Sequence, residues 1–192
     1  MVHSARTLEL KTQNPNLEPN DDVVLRARRI KLLLMDCDGV LTDGKVWLTA
    51  DYDEQKSFHT RDGQGLALMH RAGLRTGIIS GRKSSAVDRR AHDLKIAYVH
   101  QFAKDKVQAL GEIIAAAGVS SDECAFIGDD LADVAVMRRV GLAIAVADAA
   151  RETKEAAHYV TEMNGGEGAV REVCELILKS QSRWEELIES LK

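Results

Sequence analysis

Ile30-Lys31-Leu32-Leu33-Leu34-Met35 is a short, nearly all apolar run that stops abruptly at Asp36-Cys37-Asp38-Gly39. A run this short, nearly all apolar and without helical spacing, predicts a buried strand of a parallel sheet. Similar runs recur at Arg75 to Ile79, Ile96 to Val99, Cys124 to Ile127 and Leu142 to Val146, with a last short one at His158 to Val160. Helical patterns fill the intervals. Arg61-Asp62-Gly63-Gln64-Gly65 leads into a helix carrying Leu66, Leu68, Met69 and Ala72, which Gly73 is placed to end. Lys83 to His92 follows, then Lys104 to Ala117 with Val107, Leu110, Ile113 and Ile114 on one face. Leu131 to Val140, Ala149 to Ala157 and one or two terminal helices from Val170 to Ile188 complete the series. Strands alternating with helices predict an α/β fold: a doubly wound, Rossmann-like, mostly parallel sheet with helices on both faces.

The alternation is broken once. Lys45 to Thr49 puts Val46 and Leu48 on one side and Lys45, Trp47 and Thr49 on the other, Ala50 to Asp53 reads as a loop, and Glu54 to His59 as a returning strand. Residues 44–59 are therefore expected to form a β-hairpin insert, too short to stand as a domain. Met1 to Pro19 is polar, holds both prolines and has no period, which predicts a mobile leader. Asn20-Asp21-Asp22 then offers a cap for a short first helix. Residues 20–192 are expected to make one domain, with Gly165 to Gly168 a flexible loop near its end.

Composition narrows the possible partners. A net charge of −4 argues against nucleic acid or an anionic membrane surface as the main partner. The longest apolar runs fall short of a membrane span, and the N-terminus lacks the basic-then-apolar order of a signal peptide. The 3 cysteines, Cys37, Cys124 and Cys174, are scattered, as expected of reduced, buried thiols in a cytoplasmic protein. The 6 histidines show no metal-ligand spacing.

The chemistry gathers where strands end. Residues i and i+2 of an extended chain point the same way, so Asp36 and Asp38 leave the first strand with related directions. Two carboxylates this close repel in a partly dry site and call for a cation. Magnesium suits such oxygen ligands together with water and phosphate. Ligands of open parallel sheets bind at the carboxyl ends of the strands, where Ser80 and Gly128-Asp129-Asp130 also fall. Lys106 lies in the first turn of the next helix but one. Taken singly, each has an ordinary explanation: Ser80 a helix cap, Lys106 a surface lysine, Asp129-Asp130 an N-cap pair. Their conjunction in this order points to a site.

Asp36-Cys37-Asp38-Gly39-Val40, Ser80, Lys106 and Gly128-Asp129-Asp130-x-x-Asp133 resemble the motifs of the haloacid dehalogenase superfamily of phosphatases. A closer likeness, over roughly Arg26 to Lys179, is to the 3-deoxy-D-manno-octulosonate 8-phosphate phosphatase family. It is carried by Asp38-Gly39-Val40-Leu41-Thr42-Asp43-Gly44, Arg61-Asp62-Gly63, Ile79-Ser80-Gly81-Arg82-Lys83 and Gly165-Gly166-x-Gly168-Ala169-Val170-Arg171-Glu172. The resemblance implies Asp36 as nucleophile, Asp38 as general acid and base, and Mg²⁺ held by Asp36, the backbone carbonyl of Asp38 and Asp129. It implies Ser80 and Lys106 on the phosphoryl group, with Asp130 and Asp133 fixing Lys106 or metal-bound waters. A sugar acid brings a carboxylate, for which Arg61, Arg82 (beside Gly81) and Arg171 are candidate partners. The family further implies a homotetramer with sites at subunit borders, acting in lipopolysaccharide sugar synthesis. Three alternatives share parts of this pattern: a phosphatase of a nine-carbon sialic-type sugar acid, a non-catalytic assembly module of the same fold, and a signalling receiver domain, whose acidic residues come in a different chain order.

Overall fold

The computed structural model describes residues 19–48 and 54–191. The expected leader thus lies outside the described residues except for Pro19, and so does the hairpin tip. Asn20 caps α1 (Asp21–Ala27), its side chain accepting the Val23 amide. β1 (Leu32–Met35) follows, then the antiparallel pair β2 (Trp47–Leu48) and β3 (Glu54–Gln55). The chain continues through α2 (Thr60–Arg71), β4 (Arg75–Ile79), α3 (Ser85–Leu94), β5 (Tyr98–His100) and α4 (Lys106–Ala117). After a 3-10 turn come β6 (Cys124–Gly128), α5 (Leu131–Met137), β7 (Leu142–Ala145), α6 (Arg151–Ala156), β8 (Tyr159–Val160), α7 (Ala169–Ser180) and α8 (Trp184–Glu189).

The six-stranded sheet has the order β5-β4-β1-β6-β7-β8 and is parallel throughout. β1 is central because it is the most apolar strand: Leu32, Leu33, Leu34 and Met35 are all at 0% exposure, each such side chain contributing about 1.5–3 kcal/mol by burial. From β1 the chain moves outward to β4 and β5, then crosses back to β6 and moves outward the other way. The reversal opens a crevice at the carboxyl end of β1, flanked by the ends of β4 and β6. The crossovers put helices on both faces: α2 packs against α3 and α7, and α7 against α1, while α4, α5 and α6 pack in sequence.

Several boundaries differ from the sequence reading. α2 begins at Thr60, so Arg61 to Gly65 are its first turns rather than a lead-in. Its glycines sit inside the helix because neighbours lie close: a Cβ on Gly65 would stand 3.1 Å from the Arg171 Cα. α4 starts at Lys106, not Lys104, since Asp105 takes the cap and accepts the Val107 and Gln108 amides. α5 ends at Met137 rather than Val140, where the chain turns so that the Gly141 amide can reach the Ser121 carbonyl on its way into β7. The hairpin ladder is shorter than expected, because after Gln55 the chain leaves the pairing and Lys56 turns towards Asp38. Trp47 and Leu48 are 63% and 77% exposed. Among the described residues no helix is long and apolar enough to cross a membrane.

Candidate active site

Asp36 is the first residue beyond β1. Its amide donates to the Ile127 carbonyl at 3.0 Å, which fixes it to the end of β6. One carboxylate oxygen accepts the Cys37 amide at 2.7 Å, and the other faces the Lys106 ammonium at 2.9 Å. Lys106 also reaches Asp133 Oδ1 at 2.8 Å, and its side chain is 9% exposed. Asp133 is fully buried in the first turn of α5, where its Oδ2 accepts the Asp129 amide at 3.0 Å. Asp130 is turned away and caps α5, accepting the Leu131 amide at 2.7 Å. The residue that holds Lys106 is therefore Asp133, not Asp130.

Asp129 lies over the turn that follows Asp36. Gly39 has φ +90°, and a Cβ there would come within 2.1 Å of Asp129 Oδ2, so only glycine lets the carboxylate approach the motif backbone. Oxygens of Asp36, Asp129 and Asp133 lie within 4.8 Å of one another, and Asp129 Oδ1 is buried with no hydrogen-bond partner. Burial, together with the charges of Asp36 and Asp133, pushes the Asp129 carboxyl up to about 8. Burial and Asp133 raise Asp36 to about 6, against the pull of Lys106. Burial works to lower the Lys106 pKa, but Asp36 and Asp133 outweigh it and hold the amine above its usual value. An acidic pocket with a desolvated, unpartnered carboxylate oxygen is the environment a hard divalent cation requires. Asp36 and Asp133 each have both oxygens engaged, which leaves Asp129 Oδ1 as the buried, unpartnered oxygen of the three carboxylates. The thiol between the motif aspartates takes no part: burial pushes Cys37 up to about 12.

On the other side of β1, Ser80 is the first residue beyond β4 and is 3% exposed. Its amide donates to the His100 carbonyl at 2.8 Å and its carbonyl accepts the Ala103 amide at 3.0 Å, so the exit loop is held against β5. Ser80 Oγ accepts the Arg82 amide at 3.3 Å. Gly81 faces open space, with nothing within 4 Å of where a Cβ would sit. Arg82 Nε stands 3.7 Å from Asp38 Oδ2, and its Nη2 donates to Glu54 at the hairpin base. Asp38 Oδ1 pairs with the Lys56 ammonium, which lies 3.3 Å from Glu54 Oε2. Glu54 and Lys56 were not found by sequence reasoning. The available signal was their i, i+2 spacing on the returning strand, which points both side chains to one side.

Arg61 and Arg171 are not brought to this cluster. They share a separate cleft of 470 Å³ with Glu162, Met163 and Glu175, lined by none of the aspartates above. Arg171 Nε is bound to Glu175 at 2.8 Å and its guanidinium lies over the Trp184 ring at 5.4 Å. The segment read as a flexible loop is packed hard instead. The Gly165 amide donates to Asp148 at 2.9 Å and the Gly166 amide to the Val40 carbonyl at 2.9 Å. A Cβ on Gly165 would fall 1.7 Å from the Gly39 carbonyl oxygen. Its glycines serve close approach to the motif turn, not mobility.

Residues 99–173 match the family model described as haloacid dehalogenase-like hydrolase. The chain is 43% identical, over 86% of its length and 88% of the relative's, to 3-deoxy-D-manno-octulosonate 8-phosphate phosphatase of Yersinia pestis. The crystal structure of the enzyme from that organism superposes with a TM-score of 0.84, covering 86% of this chain and 89% of that one. The enzyme from Moraxella catarrhalis, solved with a magnesium ion, a phosphate ion and a KDO molecule, is 40% identical with a TM-score of 0.87, covering 89% and 98%. The cobalt-bound form of a Haemophilus influenzae phosphatase of the same description is 37% identical with a TM-score of 0.80, covering 82% and 92%.

Proposed function

The chain belongs to the 3-deoxy-D-manno-octulosonate 8-phosphate phosphatase family of haloacid dehalogenase-like hydrolases, and from that premise we propose how its residues divide the reaction. It is a magnesium-dependent phosphatase that hydrolyses 3-deoxy-D-manno-octulosonate 8-phosphate to the free sugar acid and phosphate, a step of lipopolysaccharide sugar synthesis. The observation that carries the assignment of residues is Lys106 bridging Asp36 and Asp133 beside the unpartnered oxygen of Asp129.

Unaided hydrolysis of a phosphate monoester is so slow that enzymes accelerate it by up to ~10²¹-fold. A covalent aspartyl-phosphate divides the reaction into two easier steps. Asp36 is the nucleophile, a role supported by the contacts with Ile127, Cys37 and Lys106 that fix its carboxylate at the end of β1. Asp38 protonates the departing sugar oxygen and then takes a proton from the water that attacks the phospho-enzyme, a role worth roughly 10²–10⁴-fold. Ser80 donates to a phosphoryl oxygen, and Lys106 supplies a fixed positive charge, held in place by Asp133. Asp36, Asp129 and the Asp38 backbone carbonyl would hold magnesium, which would supply charge neutralisation between the carboxylates and the phosphate dianion. Arg82, beside Gly81 at the open mouth of the site, is the arginine best situated to meet the substrate's carboxylate.

In place of a cap domain the chain has only the hairpin, whose exposed Trp47 and Leu48 would cost about 25 cal/mol per Å² of apolar surface left in water. Packing of hairpins from four subunits would cover these side chains and close each site with a neighbour. The cleft of Arg61 and Arg171 would then complete a border with that neighbour rather than its own site. The buried free thiols fit a cytoplasmic enzyme.

The test is phosphate release, with magnesium and with excess chelator, from the eight-carbon sugar-acid phosphate, a nine-carbon sialic-type sugar-acid phosphate and a hexose phosphate. Highest kcat/KM on the eight-carbon substrate, lost in chelator, is the expected result. Preference for the nine-carbon acid would overturn the substrate assignment, and full turnover in chelator would overturn the mechanism.

A further inference from the structure

Four charged side chains close a ring at the mouth of the site. The Lys56 ammonium sits between Asp38 and Glu54, Glu54 reaches on to Arg82, and Arg82 Nε returns to within 3.7 Å of Asp38. The ring joins the turn after β1, the base of the hairpin and the exit loop of β4. Its members differ sharply in exposure: Arg82 is half in solvent, whereas the Lys56 side chain is 1% exposed. A lysine that deep is held by its partners, since an unpaired buried ammonium is strongly disfavoured. Each carboxylate constrains the other through it, and the ammonium has little freedom to leave.

The two oxygens of Asp38 are thereby made unequal. Oδ1 is occupied by the ammonium, while the cation that faces Oδ2 among the described residues is Arg82, its Nε 3.7 Å away and beyond hydrogen-bond reach. We propose that Lys56 is a positioning residue for the phosphatase reaction: by taking Oδ1 it fixes the Asp38 carboxyl plane and assigns Oδ2 as the oxygen that carries the catalytic proton. Glu54 anchors the ammonium from its far side. This rests on Asp38 being the acid of the proposed mechanism. In that step a bond forms between an Asp36 oxygen and phosphorus as the bond from phosphorus to the sugar oxygen breaks. The proton on Asp38 Oδ2 passes to that sugar oxygen, leaving a neutral alcohol, a phospho-aspartate and ionised Asp38. A carboxyl free to rotate would present either oxygen and lose the alignment that proton transfer needs.

Positioning of an acid matters in proportion to how badly the leaving group needs the proton. A sugar alkoxide needs it, whereas p-nitrophenolate departs readily without it. The informative quantity is kcat/KM, which covers steps up to the first irreversible one and so omits hydrolysis of the phospho-enzyme. In the magnesium-loaded full chain, Lys56→Met is expected to lower the ratio of kcat/KM on the sugar-acid phosphate to kcat/KM on p-nitrophenyl phosphate by at least about tenfold. Lys56→Arg, which keeps a cationic donor, should recover part of that ratio. Equal losses on both substrates would mean a purely structural lysine and would overturn the proposal, as would no loss on either. If Lys56→Met does not fold by circular dichroism, Glu54→Gln provides the second arm. It loosens the anchor of the ammonium and should move the ratio in the same direction by a few-fold, and an unmoved ratio there is equally fatal. Failure of the parent enzyme on the sugar-acid phosphate would instead count against the functional assignment, because the ratio compares variants only where the parent acts on both substrates.

Discussion

Removing magnesium should make the stability of this enzyme fall with rising pH. The cause lies in the carboxylates around Asp129. In the metal-free protein, burial and neighbouring negative charge raise Asp36 to about 6 and Asp129 to about 8. A carboxyl raised in this way keeps its proton in the native state after the unfolded chain has released it, so native stability declines as pH climbs from the unfolded carboxylate range to the folded value. Asp36 is near its midpoint at pH 6 and finishes titrating early in the window from pH 6 to pH 8, so Asp129 carries most of the effect there. One group contributes a slope of about 1.4 kcal/mol per pH unit, and solvent access and local relaxation reduce the total over that window to roughly 1–2 kcal/mol. For a chain of this size that corresponds to about 2–8 °C in Tm. The assay is a thermal unfolding series at pH 6, 7 and 8, in chelator and in excess magnesium. The chelated protein should lose stability across the window, and magnesium should remove most of the slope by letting both carboxylates ionise. A flat profile in chelator, or a magnesium effect that does not grow with pH, would refute the electrostatic account of the site.

Asp36→Asn should abolish turnover and any acid-stable phosphate on the protein. Asp38→Asn should keep magnesium binding by calorimetry, since its ligand is a backbone carbonyl, while losing about 10²-fold or more in kcat/KM on the sugar-acid phosphate; near-normal turnover would remove it from the acid role. Gly39→Ala puts a methyl group on the Asp129 carboxylate at a left-handed φ, so metal affinity measured by calorimetry should collapse, and unchanged affinity would contradict the ligand set. Lys106→Met leaves buried Asp36 and Asp133 without their counter-charge and should cost about 3–5 kcal/mol of stability to denaturant as well as activity. Trp47→Asp should break the oligomer and raise KM together, and light scattering that finds a fully active monomer would end the tetramer proposal.

What the sequence disclosed follows from how each part is buried. β1 was legible because both its faces are covered, which leaves an apolar run with no polar interruption. Asp36, Asp129 and Lys106 were legible because a doubly wound sheet sends its ligands to strand ends, and the motifs stand where those ends fall. Lys56 and Glu54 were not, since a lysine and a glutamate on a short returning strand look like solvent-facing charge until the hairpin base is seen to fold onto Asp38. The start of α2 was hidden by Gly63 and Gly65, which read as breakers, although Gly65 serves a close approach to the Arg171 backbone. Gly165 to Gly168 was misread for the same reason. Glycine marks either freedom or crowding, and the crowding partner, the Gly39 carbonyl, lies far earlier in the chain. Asp130 and Asp133 could not be told apart by spacing, because a helix N-terminus offers a role to either, and only the depth of Asp133 decides it.

The contact of Gly165 and Gly166 with the turn from Gly39 to Asp43 has a consequence for biogenesis. A chain emerging from the ribosome exposes its nucleophile early, and Lys106 and Asp129 some time later, so the reacting groups are all translated well before synthesis ends. The wall behind the nucleophile's turn is not, because it is supplied by the last loop and seated by α7, which packs on α1 and α2. Domains assemble as units while synthesis proceeds from the N-terminus. A chain terminated before Gly165 would therefore carry every reacting side chain without the backbone contacts that Gly165 and Gly166 make to the turn from Gly39 to Asp43.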